Sequence, residues 1–236
     1  MLESHYLYLG LMVFSVAFPL AWSFDRRISF YRSWQALALS VLVMGLIFIP
    51  WDIWFSMQKF WWFNHRYTLD IDLLGLPLEE YLFFIAIPYA CVFIHQALKY
   101  LVKKDILGSL ARALFLQAGL ILLVLSILFR ERTYTVICFS LTGMALILAW
   151  YFNPKWKGRF LLTYLVSLLP FLLINGALTG AFTQDAVVNY DGAENLGLRI
   201  FTIPIEDGVY NLLMLLVVIW FYEYRTQGKE RSANIV

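Results

Sequence analysis

The chain has 236 residues, 61% of them hydrophobic and 14% charged, with a formal net charge of only +2. This is far more apolar surface than a soluble core of this size needs; the net charge says little about partners, and because the basic residues are spread over helix ends as topology determinants, no nucleic-acid partner is expected. A lipid bilayer, not water, is the expected main solvent.

A helix crosses the hydrocarbon of a bilayer with roughly 20 mostly apolar residues, because each backbone polar group is then satisfied within its own segment. Seven stretches meet that description, at 6–24, 34–51, 78–100, 107–129, 133–152, 159–179 and 204–224. The expected fold is therefore all-α, a polytopic integral membrane protein with seven transmembrane helices. Glu3 and His5, not a basic cluster, precede the first stretch, and no small-x-small cleavage site follows it, so it reads as an anchored helix. Thirteen of the 18 lysines and arginines fall at one set of helix ends, from Arg26 through Lys103 and Lys155 to Lys229 and Arg231. Lys59, Arg66, Arg130, Arg132 and Arg199 fall at the other. The positive-inside rule then places the N-terminus outside and the C-terminus in the cytoplasm, in the cell membrane. Cys91 and Cys138 lie inside apolar stretches, away from any metal or redox spacing, and read as small core residues; no metal site is expected.

Two segments resemble each other. Pro77-Leu78-Glu79-Glu80 and Pro204-Ile205-Glu206-Asp207 each place a proline and an aliphatic residue before two acids. Proline suits the first turn of a helix, where its missing N–H would have no partner, so each motif marks a helix start. The loops ahead of them also correspond, Trp61-Trp62-Phe63-Asn64 in one and Val187-Val188-Asn189-Tyr190 in the other. Three helices per unit is an odd number, and the stretch at 107–129 supplies the extra crossing that keeps both units parallel. The expected division is a first three-helix repeat at 1–104, a linker helix at 105–131 and a second three-helix repeat at 132–236. Both acid motifs then lie on one face, around a pseudo-twofold axis along the membrane normal.

Acids at the edge of hydrocarbon are expensive and mark function by default, although a single first-turn acid is equally explained by the helix dipole. Duplication tips the balance toward function for Glu79, Glu80, Glu206 and Asp207. Clustered carboxyls in a low dielectric cannot all be ionised, so one is expected to keep its proton and serve as a general acid. Neighbours on a helix point about 100° apart, so close acid pairs are expected across the axis, between the two motifs. Aromatic residues crowd the same region, among them Trp51, Trp54, Trp62, Phe63, Tyr81, Phe84 and, in the second half, Tyr210. They suit an interfacial belt, and equally a cavity whose ring faces stabilise a cation. Asp52, Asn64, Asn175 and Thr179 are polar residues at helix ends near that face, and Gly176 and Gly180 are expected to open the end of the sixth helix.

The segments Pro77–Phe84, Asn175–Gly180 and Arg199–Asp207, in this order and spacing, resemble the heterodimer-type lycopene cyclases in their fused form, over essentially the whole chain. The resemblance implies acid-catalysed, non-redox closure of the ψ ends of lycopene or a related acyclic carotenoid to β-ionone rings. The product would be γ-carotene or β-carotene. It further implies Glu79, Glu80, Glu206 and Asp207 as the acid–base set and the aromatic and polar residues above as substrate contacts. No Gly-rich dinucleotide fingerprint follows a strand, so no cofactor is expected. Other carotenoid-pathway enzymes are conceivable partners. A retinal protein is excluded at the usual place, because the seventh stretch contains no lysine. The alternative is a small proton-coupled membrane transporter, which also uses paired intramembrane carboxylates.

Overall fold

The computed structural model describes residues 4–233, with side-chain surroundings through residue 227. Glu3 lies outside the described residues, and Lys229 and Arg231 lie outside the described side chains. The elements run α1 (Leu7–Trp22), α2 (Trp34–Met57), β1 (Trp61–Phe63), β2 (Asp72–Leu73), β3 (Leu76–Pro77), α3 (Leu78–Leu101), α4 (Gly108–Leu128), α5 (Thr133–Phe152), α6 (Lys157–Leu178), β4 (Val188–Tyr190), β5 (Arg199–Ile200), β6 (Ile203–Pro204) and α7 (Ile205–Ala233). The protein is an all-α membrane protein: among the described residues, six helices are long and apolar enough to cross a bilayer. The remaining helix, α1, has 16 residues and falls short of that length, reaching about 24 Å at 1.5 Å per residue where a full span was expected.

The α2 helix continues six residues past its expected end at Trp51, carrying Asp52 inside it. A buried acid that finds donors does not end a helix, and Asp52 finds one in Tyr210. Pro19, Pro50, Pro88 and Pro170 all lie within helices. The sixth helix stays helical through Leu178, and the backbone opens only at Gly180, whose φ of 99° a side chain would strain.

The α7 helix is the most enclosed of the six long helices, packing against α2, α3, α5 and α6. The least enclosed is α4, which rests on α5 and α6. At its contact with α5, a methyl added to Gly143 would come within 2.9 Å of the Gly119 carbonyl oxygen, so the two backbones touch through glycine. The outward surface is apolar, with Leu46, Ile127 and Leu169 well exposed, as a lipid-facing wall requires.

The six short strands form three antiparallel pairs. Hairpins β2–β3 and β5–β6 stand directly ahead of α3 and α7. Asp70, Leu74, Gly197 and Phe201 have φ values of 55°, 53°, 70° and 56°, and the second two follow the first two by the same 127 positions. The β1–β4 pair joins the two long outer loops with Trp62 opposite Asn189, and these residues too are 127 apart. Trp61 faces Tyr190 and Phe63 faces Val188, so the ladder reads the same from either strand.

Candidate active site

The turn that starts α3 and the turn that starts α7 each aim one acid at its own loop and one at the bundle interior. Glu79 accepts a hydrogen bond from the backbone N–H of Leu69 at 2.8 Å, and Glu206 accepts one from the backbone N–H of Leu196 at 2.8 Å. In both cases the donor stands ten residues upstream. Glu206 also accepts from Thr135 Oγ1 at 2.7 Å. These two glutamates are fully buried and clamp the hairpins to the helix starts. An ionisable group so enclosed is retained where it satisfies backbone that would otherwise be orphaned.

Glu80 and Asp207, one residue further along, line a common cavity of about 60 Å³ with Tyr8, Asp52, Tyr134, Tyr190, Asn175 and Tyr210. On one wall Tyr8 donates its phenolic hydrogen to Glu80 Oε2, and Tyr210 donates to Asp52 Oδ1 at 3.0 Å. Asp52 and Glu80 are neighbouring buried carboxyls on this side of the cavity. Neighbouring carboxyls buried together do not both ionise readily, which favours a proton held on one of them. Asp52 of α2 thus joins Glu80 of the first motif and Asp207 of the second around one cavity. The reason is that α2 runs on past Trp51 and delivers Asp52 to the chamber.

On the other wall Asp207 accepts three hydrogen bonds: from Tyr190 at 2.7 Å, Tyr134 at 2.8 Å and Asn175 Nδ2 at 2.9 Å. Three donors favour the ionised form of a carboxylate. Burial, followed by the neighbouring Asp207 charge, pushes the Tyr190 phenol above its ordinary value, so it remains a proton-bearing donor at neutral pH. Asn175 of α6 thus places an amide donor beside Asp207, where α2 places the Asp52 carboxyl on the first wall.

Among the residues expected at a substrate site, Asp52, Phe63, Asn175 and Tyr210 line this chamber. Trp51 is buried behind Tyr210, ring centroids 5.0 Å apart. Trp54 and Trp62 are half exposed on the outer rim. Asn64 accepts a hydrogen bond from the Arg66 backbone N–H, and Thr179 shares one with Thr202 at 2.7 Å. Tyr81 and Phe84 line a separate outer groove between α2 and α3. Tyr8, Tyr134 and Tyr190, which sequence reasoning did not single out as site residues, are the principal donors. Their signal was present in the repeat: Tyr190 follows Phe63 by 127 positions, and Tyr134 lies within one position of the same step from Tyr8.

Fold and chamber together define a multi-pass helical membrane protein whose two Pro-acid helix starts meet at one buried cluster of carboxyls and phenols. The chain belongs to the lycopene cyclase family, whose model matches residues 5–98 and again residues 131–225. No curated protein and no solved structure matches it. Membership places the chain among enzymes of carotenoid cyclisation, with a carotenoid substrate and a membrane setting, and disfavours the proton-coupled transporter.

Proposed function

We propose that the protein closes the ψ ends of lycopene to β-ionone rings by acid catalysis without net redox change, with the Asp52–Glu80 pair as proton donor. The observation that supports this most directly is the asymmetry of the chamber. One wall brings together two buried carboxyls, Asp52 and Glu80, each with one phenol donor, and the other holds a single carboxyl fixed by three donors.

In this reading the proton held on that pair adds to the terminal double bond of the substrate and leaves a tertiary cation. The next double bond attacks that cation, forming the ring C–C bond and moving the positive charge into the ring. Asp207 faces the charge as it develops and takes the proton whose loss leaves the ring double bond. One proton enters the hydrocarbon and one leaves, so the product is an isomer of the substrate. The phenols lining the cavity return the proton from Asp207 to the Asp52–Glu80 pair. Trp61, Phe63 and Phe83 contribute aromatic surface to the same cavity and favour a cation over captured water. Electrostatic preorganisation of this kind supplies much of a rate enhancement when the site is dry.

We also assign residues 1–104 and 132–236 to two parallel three-helix repeats joined by a linker helix at 105–131. The 127-residue step that relates Glu79 to Glu206, Leu69 to Leu196 and Trp62 to Asn189 supports this division. The distribution of basic residues supports an N-terminus outside and a C-terminus in the cytoplasm of the cell membrane. Other carotenoid-pathway enzymes are natural neighbours for a protein whose substrate and product both stay in lipid.

The test is expression in cells that accumulate lycopene, followed by pigment extraction. β-Carotene or γ-carotene should replace lycopene, and Glu80→Gln should abolish the conversion while the protein stays in the membrane. Unchanged lycopene with the wild-type chain present in the membrane would sink the reading.

A further inference from the structure

A second cavity, of about 390 Å³, opens between α1, α3 and α6. Its walls are almost wholly apolar, formed by residues such as Phe14, Phe18, Ile87, Ala90 and Leu173. Phe83, Phe171, Asn175 and Asn211 line both this cavity and the carboxyl chamber, so the two spaces meet at a collar of four side chains. Asn211 is 4% exposed, and its side-chain nitrogen has no hydrogen-bond partner. A buried amide left without a partner in a native fold calls for a ligand or a water. The extended π system of a polyene passing the collar would supply faces to its N–H groups.

The pseudo-equivalent position on the other side is filled. In the second half α5, α7 and α2 occupy the places of α1, α3 and α6, and there α2 packs directly on α7. Phe48 of α2 meets Tyr210 of α7 with ring centroids 5.2 Å apart, and Phe55 meets Tyr134 of α5 at 5.8 Å.

We propose that the cavity between α1, α3 and α6 seats the polyene chain of the carotenoid while one end group occupies the chamber, so that a single site closes the two ends in turn. This rests on the cyclase reading above and adds where the substrate lies and how many sites there are. After the first ring forms, the molecule must withdraw into lipid and re-enter with its other end.

The first experiment reads binding. Glu80→Gln protein, purified from lycopene-accumulating cells, should retain lycopene, measured by absorbance per mole of protein. Adding Ala90→Trp, or independently Leu173→Trp at the cavity mouth, should lower the retained pigment at least about tenfold. Adding Ala38→Trp in the outer α2–α3 groove should leave it unchanged. Equal retention in all three double variants would mean that the cavity holds lipid acyl chains only, and would overturn the proposal while the cyclase reading stood.

The second experiment reads products. In the wild type the one-ring carotenoid should accumulate before the two-ring product, and Glu80→Gln should stop both rings. About half the wild-type conversion surviving in Glu80→Gln would reveal two independent sites and overturn the proposal. A wild-type chain that leaves lycopene unconverted would remove both this proposal and the reading beneath it.

Discussion

Tyr210, on the second turn of α7, donates its phenolic hydrogen to Asp52 on α2 at 3.0 Å, which makes a residue of the second half a direct partner of an acid in the first. Tyr210→Phe removes only the hydroxyl and keeps the ring against Trp51 and Phe48. A single buried hydrogen bond contributes about 1 kcal/mol, and more when it serves a charged partner. The rate of ring formation should therefore fall by roughly tenfold while the melting temperature in detergent changes little. An unaltered rate would detach Tyr210 from the chemistry.

The four motif acids should separate into two behaviours. Glu80→Gln and Asp207→Asn act on groups inside the chamber, and each should lower turnover by about 10²–10⁴, the usual contribution of a positioned acid or base. Glu79→Gln and Glu206→Gln preserve an oxygen that can accept the Leu69 or Leu196 N–H, so activity should persist. Glu79→Ala and Glu206→Ala leave those amides unsatisfied and should cost about 1–3 kcal/mol of stability. Parallel pigment assays and thermal unfolding of all six variants distinguish the groups, and equal inactivation by Glu79→Gln and Glu80→Gln would contradict the division.

Asn175→Asp converts the second wall into a copy of the first. Asp207 loses an amide donor at 2.9 Å and gains an acid with which to share a proton. Fixing the anion that faces the ring cation is then lost, and cyclisation should fall by at least about tenfold with the fold intact. Pigment conversion at matched membrane protein level is the measurement, and full activity would show that Asp207 is not needed as an anion.

Far from the chamber, a second polar cluster should matter for stability alone. His95 on α3 is fully buried, with Nδ1 at 2.8 Å from Thr163 Oγ1 and Nε2 at 2.8 Å from Glu223 Oε1. Thr163 spends its own hydrogen on the Arg159 carbonyl at 2.8 Å, so the imidazole donates to the threonine and also meets the glutamate. The cluster ties α3, α6 and α7 together. His95→Ala leaves Glu223 with Arg159 Nη1 at 3.4 Å and Gln227 Nε2 at 3.0 Å but removes the link to Thr163, and should cost about 1–3 kcal/mol of stability. The residual folded enzyme should keep its product ratio; an altered ratio would give this cluster a role beyond holding the helices.

The helices were legible because 18 or more apolar residues in a row have few other solutions, and the Pro-acid starts because they occur twice. The pairing of acids was not legible. Charge marks the end of an apolar run in sequence, so the second helix was expected to stop at Trp51, and Asp52 was placed at its edge and not among the acids. The tertiary donor Tyr210 gives a helical Asp52 a hydrogen bond in the interior, and nothing in the sequence names that donor. Tyr8, Tyr134 and Tyr190 were hidden for a related reason: a tyrosine in a membrane sequence reads as an interfacial belt residue, and its hydroxyl partner is fixed by other helices. Strands of two or three residues carry no periodicity, so β1–β4 could not have been anticipated.

The β1–β4 ladder has a consequence for inheritance as well as for chemistry. Its two strands come from the two halves of the polypeptide, and Tyr210 of the second half bonds Asp52 of the first. Neither half owns a finished vessel. Gene fission between α3 and α4 would yield two fragments, each colourless in its effect on red cells, whose complementation depends on meeting in the same membrane.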